Sequence, residues 1–205
     1  MEEKMKNKLV PDTNMTEGFL EEHIIEPKLN KKENVNVEAQ AIIQSEYVYN
    51  INVKDEFFST LRFDYKGFDN WFIKKQKNKD KAYITKTKDN KISSFLMLKE
   101  EDENENYSTF EEPFRPAKRI KVSTFKVSDR GKKMGECFMK IIMNEAKQKN
   151  VEEIYITTFK KQKTLINLLE QYEFKLFTYK ETTKNDGTIE KEAIYVKNMK
   201  ENKRK

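Results

Sequence analysis

The stretch VSDRGKKMGE, Val127 to Glu136, places two of the chain's five glycines among Arg130, Lys132 and Lys133. A strand feeding such a turn into a helix leaves the first helical N–H groups unpaired and aimed outward, with the positive end of the helix dipole behind them. Anions bind there, phosphates above all. Gly131 and Gly135 remove side chains that would hold a ligand off the backbone, and the three basic residues add positive charge. Spacing excludes the familiar nucleotide loops: the glycines are four apart, Glu136 stands where a Walker A lysine would be, and no GxGxxG is present. A plain strand-to-helix turn has the same appearance, so the neighbouring elements must decide.

Other chemistries are bounded by single residues. Cys137 is the only cysteine, which excludes an internal disulfide and a cysteine metal cluster and suits a reducing compartment. His23 is the only histidine and sits in the polar stretch EEHIIEP, so a histidine-based triad or zinc site is not expected. The net charge of +6 comes from 41 basic and 35 acidic residues interspersed along the chain. Only five of the basic residues are arginines, so a nucleic-acid partner is permitted but not indicated. No apolar run is long enough to span a bilayer and no signal-peptide core follows MEEKMKNK, which points to a cytoplasmic protein with no membrane partner.

The elements that position the turn follow from periodicity. Residues 1–45 have the composition of a flexible or partner-ordered arm, 46–199 that of a folded domain, and 200–205 form a basic tail. DEFFSTLRFDY and GFDNWFIKKQKNK predict two short amphipathic helices broken at Gly67, with Asp69 capping the second. KAYITKT and KISSFLMLK predict a hairpin, and EEDENENYSTFEEPFRP an acidic loop. RIKVSTFKV predicts the strand that enters the glycine turn, and Cys137, Phe138, Ile141, Ile142 and Ala146 form the apolar stripe of the helix that leaves it. Strand EEIYITTF, helix KQKTLINLLEQY and a hairpin turning at Asn185 to Gly187 complete a mixed α/β domain.

In that context the turn resembles the signature of the GNAT acetyl-CoA-dependent N-acetyltransferases, V-x-P-x-x-[RQ]-G-x-G-x-[GA]. Phe125, Lys126 and Val127 take the V-x-P positions, Arg130 and Gly131 match, and Gly135 matches the final small residue. Lys133 stands where the family has glycine. The resemblance covers roughly Arg119 to Phe177 and implies a mixed central sheet, mostly antiparallel with a splayed parallel pair, flanked by helices. It further implies that acetyl-CoA, as co-substrate and without a metal, lies between the strand ending at Val127 and the strand Ile154 to Thr158. Phe125 and Val127 would pair with the pantetheine arm, Arg130, Gly131, Lys132, Lys133, Met134 and Gly135 would hold the pyrophosphate, and a peptide N–H would stabilise the oxyanion. Lys133 either blocks the close approach that glycine permits or, in ordinary right-handed helix, adds a contact to phosphate; the second reading is preferred because its neighbours are kept.

The family's Asn-x-x-Ala-x-x-x-Tyr pattern falls on Gln162 and Leu169. Gln162 is carried over as a cofactor-binding residue, but leucine cannot donate a proton. Tyr172, three residues on, is the candidate general acid, with a core-edge role competing, and Tyr155 is a further candidate. Glu111, Glu112, Glu153 and Asp64 are carboxylates in plausible regions for a base, although surface roles explain each. Glu136 suits the first turn of a helix for structural reasons.

The acceptor implied is a primary amine on a small molecule or a protein. The acidic loop Glu100 to Glu112 favours a cationic one, such as a lysine side chain or a polyamine. Two alternatives remain open: a non-catalytic CoA-binding or regulatory module whose arm binds a protein partner, and acylation of an RNA-linked amine in a toxin-antitoxin-like setting, held by lysines 74–81 and 160–163.

Overall fold

The computed structural model of the protein describes residues 42–128 and 133–200. The arm up to residue 41, the turn residues Arg130, Gly131 and Lys132, and tail residues 201–205 lie outside the described residues.

Seven strands form one sheet in the order β1-β2-β3-β4-β5-β7-β6. In chain order these are β1 (Gln44–Tyr47), α1 (Ser59–Asp64), α2 (Phe68–Lys77), β2 (Lys81–Lys86), β3 (Ile92–Glu101) and β4 (Arg119–Val127). They are followed by α3 (Met134–Gln148), β5 (Glu153–Phe159), α4 (Lys163–Gln171), β6 (Lys175–Thr183) and β7 (Ile189–Asn198). Every neighbouring pair is antiparallel except β4 with β5. This is the mixed sheet expected from the sequence.

Alternation along the strands sends two apolar sets to opposite faces. Leu96, Ile120, Val122, Ile154 and Ile156 pack against Phe138, Met139 and Ile142 of α3 and Leu169 of α4. Ile84, Phe95 and Met97 pack against Phe58, Phe68 and Phe72 beneath α1 and α2. Phe58 is fully buried, edge-on to Phe57, Phe72 and Phe95 with ring centroids 5.1–5.2 Å apart. Removing such a ring from water is worth about 2–3 kcal/mol, so this cluster fixes α1 and α2 over one face.

One local expectation is corrected. α2 is entered through Gly67, whose φ of 80° lies in the left-handed region, rather than capped by Asp69. Asp69 falls in the first helical turn and pairs with Lys54. Tyr107, Phe110 and Phe114 anchor the acidic loop on Tyr155. Glu101 at its start is buried, accepting hydrogen bonds from Tyr155 (2.7 Å) and Tyr107 (3.0 Å).

Candidate active site

The site begins where the parallel pair separates. β4 and β5 are in register from Arg119↔Glu153 to Val122↔Ile156, and no pair follows. On the other edge of β4, Met97 lies opposite Thr124 and Leu98 opposite Val122. Ser123 is therefore the extra residue of a β-bulge, a device that bends a strand and interrupts its ladder. The bulge and the separation coincide.

Backbone alternation shows what the separated strand offers. The Ser128 N–H donates to the Ser93 carbonyl (2.9 Å), and Val127 lies opposite Ser94. In an antiparallel ladder, residues facing their partner through both N–H and C=O alternate with residues facing away. Phe125 and Val127 are of the second kind, so their peptide groups face the gap left by β5. Buried peptide groups require partners, and an extended chain laid in the gap would supply them.

A cavity of about 520 Å³ runs through this gap. On the α3–α4 face it is lined by Phe125, Gln162 and Leu165; at the split by Val122, Ser123, Ile156 and Thr157. On the other face Tyr65, Phe68 and Trp71 meet lysines. The volume lies in the range of small-molecule sites.

Lys133 is exposed and precedes α3 with φ 48° and ψ 22°, a left-handed conformation that L-residues rarely adopt. The expectation of ordinary right-handed helix is thus corrected: the position has the conformation for which glycine is suited, and a lysine occupies it under strain. Among the described residues no side chain caps α3, so its first amides are available to an anion. Met134 is buried in the α3 core. Gly135 answers a different need from the one inferred from sequence, because a Cβ there would meet Leu168 Cδ2 at 3.0 Å. It lets α3 approach α4.

Gln162 lines the cavity and precedes α4, with its amide oxygen accepting from Thr158 Oγ1 (2.5 Å) and the Phe159 N–H (3.2 Å). The rest of its amide is what it offers a ligand. Tyr172 is not brought to the opening. It follows the last turn of α4, packs half-buried on the α3 core, and lines a separate groove with Lys140, Met143 and Asn144. A proton donor there does not line the cavity, so its assignment as general acid is withdrawn. Leu169 is buried core.

None of the candidate bases lines the cavity either. Glu153 is held by Arg119 (2.7 Å) and Arg115 (3.0 Å), Asp64 by Lys161 (2.5 Å) and Glu111 by Lys191 (2.5 Å). Tyr155 is buried under the acidic loop.

What sequence reasoning missed is Tyr65, the one tyrosine among the described residues that line the cavity. Its hydroxyl donates to Glu192 Oε1 at 2.7 Å. Burial, and then the Glu192 carboxylate, push the Tyr65 phenol far above its ordinary value, so it stays protonated. Glu192 is itself inaccessible to solvent, bonded also by Thr182 (2.6 Å) and paired with Lys180 (2.9 Å). Burial raises its pKa, but Lys180 and the two hydroxyl donors outweigh that effect and hold the carboxyl below its usual range. The signal was the alternation of β6 and β7, which sets Lys180 opposite Glu192.

The electrostatic expectation is also corrected. Among the described residues the cavity is lined by six lysines, Lys66, Lys74, Lys75, Lys99, Lys121 and Lys180, and by no carboxylate. Those residues also include no group of three or more potential metal ligands, and no helix long and apolar enough to cross a membrane.

No protein-family model and no curated protein sequence matches the chain. Solved structures do match in fold. An N-acetyltransferase from Staphylococcus aureus Mu50 aligns with TM-score 0.56 at 18% identity, over 78% of this chain and 99% of that one. Arabidopsis thaliana NAA60, in complex with acetyl-CoA, aligns with TM-score 0.57 at 10% identity, over 77% and 100%. A GNAT-superfamily phosphinothricin acetyltransferase from Sinorhizobium meliloti, in complex with AcCoA, gives TM-score 0.55 at 10% identity, over 78% and 88%. The chain has the GNAT acetyltransferase fold.

Proposed function

We propose that this protein is an acetyl-CoA-dependent N-acetyltransferase acting on a primary amine. The observation that carries the reading is the separation of β4 from β5 beyond Val122 and Ile156, with the peptide groups of Phe125 and Val127 facing the gap and Phe125 lining the cavity that passes through it. An amide-bearing pantetheine arm matches that edge as an added strand. The uncapped start of α3 suits a pyrophosphate. Two of the structural neighbours are described as complexes with acetyl-CoA, and this lends support to the choice of acyl donor.

In the transfer, the amine nitrogen attacks the acetyl carbonyl carbon; the C–N bond forms, the C–S bond breaks, and the amine loses a proton while the thiolate gains one. Donors placed at the developing oxyanion lower this barrier, and the β4 amides freed near the bulge are available for that role. Tyr65 is assigned to proton handling. Held by Glu192, which stays ionised, its phenol takes the amine's proton on the oxygen and gives up its own through cavity water to the leaving thiolate.

Thermal unfolding with and without excess acetyl-CoA tests the site. At a ligand concentration about 100 times Kd, the gain is about 2.7 kcal/mol. Thr157, half-buried and lining the split, gives the control: Thr157→Trp fills the gap and should abolish the gain. An equal gain in the variant would put the donor elsewhere. A second reading, a CoA-binding module without catalysis, draws on the burial of Leu169 where the family has its tyrosine. It predicts the same stabilisation with no acetylated product.

A further inference from the structure

The lysines on the acceptor side are not equivalent. Lys99 pairs with Glu101 (3.1 Å) and Glu105 (2.8 Å), Lys180 with Glu192 (2.9 Å) and Lys75 with Asp80 (2.9 Å). Lys66 and Lys74 are exposed at the rim. Lys121 is half-buried, and makes no hydrogen bond or ion pair among the described residues. Its ammonium lies 5.8 Å from the centre of the Tyr155 ring, at the far limit of a cation–π contact. Burial, with Lys180 and Lys99 adding to it and Glu101 and Glu105 opposing it, holds its pKa below the ordinary lysine value. At the wall of the cavity this cation has no carboxylate in direct contact, and a ligand can provide one.

These lysines do not serve the donor's pyrophosphate. Lys99 and Lys121 are opposite one another in the β3–β4 register, on the face that Met97 shares with α1 and α2. Ile120 and Val122 face α3, whose N-terminus is the candidate pyrophosphate site. The sheet separates the two positive regions.

We propose that the acceptor is a small amine carrying its own anionic group, a carboxylate or a phosphate, which seats on Lys121 beside Lys99 and Lys180. This deepens the acetyltransferase reading and rests on it. The anion neutralises Lys121, and the same contact fixes the amine relative to the split. A second cationic group on the acceptor would instead meet several ammonium groups and no lining carboxylate.

The test is steady-state acetylation by the full chain at saturating acetyl-CoA, comparing β-alanine and phosphoethanolamine with propylamine and putrescine. At least one anionic amine should exceed propylamine by about tenfold in kcat/KM, the scale of one charge-assisted contact, with putrescine lowest. The two anionic arms distinguish carboxylate from phosphate. Lys121→Met should raise KM for the anionic acceptor by about tenfold at nearly constant kcat and leave propylamine unchanged, and Lys121→Arg should restore it. Preference for putrescine, or equal losses with propylamine, would overturn the proposal while leaving the acetyltransferase reading intact. If no amine turns over, that reading fails separately. The proposal is then decided by adding β-alanine or phosphoethanolamine to the CoA-saturated protein: it requires a rise in Tm that Lys121→Met abolishes, and the absence of that rise refutes it.

Discussion

Replacing Lys133 by glycine should stabilise the unliganded protein, although it removes a side chain and adds none. Lys133 has φ 48° and ψ 22°, and the left-handed region costs an L-residue roughly 1–2 kcal/mol through contact of Cβ with the carbonyl oxygen. Glycine escapes that cost but loses about 0.5–1 kcal/mol through the greater freedom of the unfolded chain. The difference is a net gain of about 0.7 kcal/mol. For a domain of this size that corresponds to a rise in Tm of about 2 °C. Lys133→Ala is the decisive partner, because it removes the charge and keeps the strained Cβ, and its Tm should stay at the wild-type value. Differential scanning calorimetry of the three proteins without ligand provides the comparison. If alanine raises Tm as much as glycine, relief of repulsion with Arg130 and Lys132 explains the gain and the backbone argument is refuted. If glycine lowers Tm, Lys133 does not occupy the left-handed region in solution.

Three further outcomes are expected. Tyr65→Phe should lower kcat by about 100-fold or more, the usual scale of a general acid–base contribution, while the stabilisation by acetyl-CoA persists; unchanged kcat would remove Tyr65 from the proton path. Gly135→Val should cost about 1–3 kcal/mol by overpacking against Leu168, and a double-mutant cycle with Leu168→Ala should show a favourable coupling above about 0.5 kcal/mol; strict additivity in urea melts would contradict the close approach of α3 to α4. Glu192 has a pKa held below its ordinary 4.5, so its contribution is present above that value and is lost as pH falls through the folded-state pKa. Glu192→Gln should therefore cost about 3 kcal/mol at neutral pH, with the gap to wild type narrowing as pH falls below the ordinary carboxyl value, and parallel stability curves across that range would refute the assignment.

The order of elements from α1 onward was legible because each strand and helix announces itself locally, whereas β1, which begins at Gln44 inside the stretch read as arm, was missed. RIKVSTFKV alternates, and Phe138, Ile141, Ile142 and Ala146 repeat at helical spacing. The split was implied by the family resemblance, but its position was not legible, since it depends on where two strands distant in sequence stop pairing, and Ser123 has nothing in its type to mark a bulge. Lys133 was misjudged for a related reason: conformation at a turn is set by the elements on either side, and a lysine gives no sign of positive φ. The acidic loop was read by charge alone, although Tyr107, Phe110 and Phe114 stand between its carboxylates and carry the apolar surface that pins it to Tyr155. Charge in the cavity became visible only through register, which brings Lys99 opposite Lys121 and Lys180 opposite Glu192. Tyr65 was hidden between two short helices, and only the fold brings it beside Glu192, far along the chain.

The central claim is acetyl transfer through the gap between β4 and β5. Its most direct measurement is mass-spectrometric analysis of the full chain incubated with acetyl-CoA and a mixed pool of primary amines, read for N-acetylated product and free CoA together. The account predicts equal amounts of both, dependent on the amine and lost in Thr157→Trp. Folded protein that binds acetyl-CoA but yields no acetylated amine, or yields it equally with the gap filled, would contradict it.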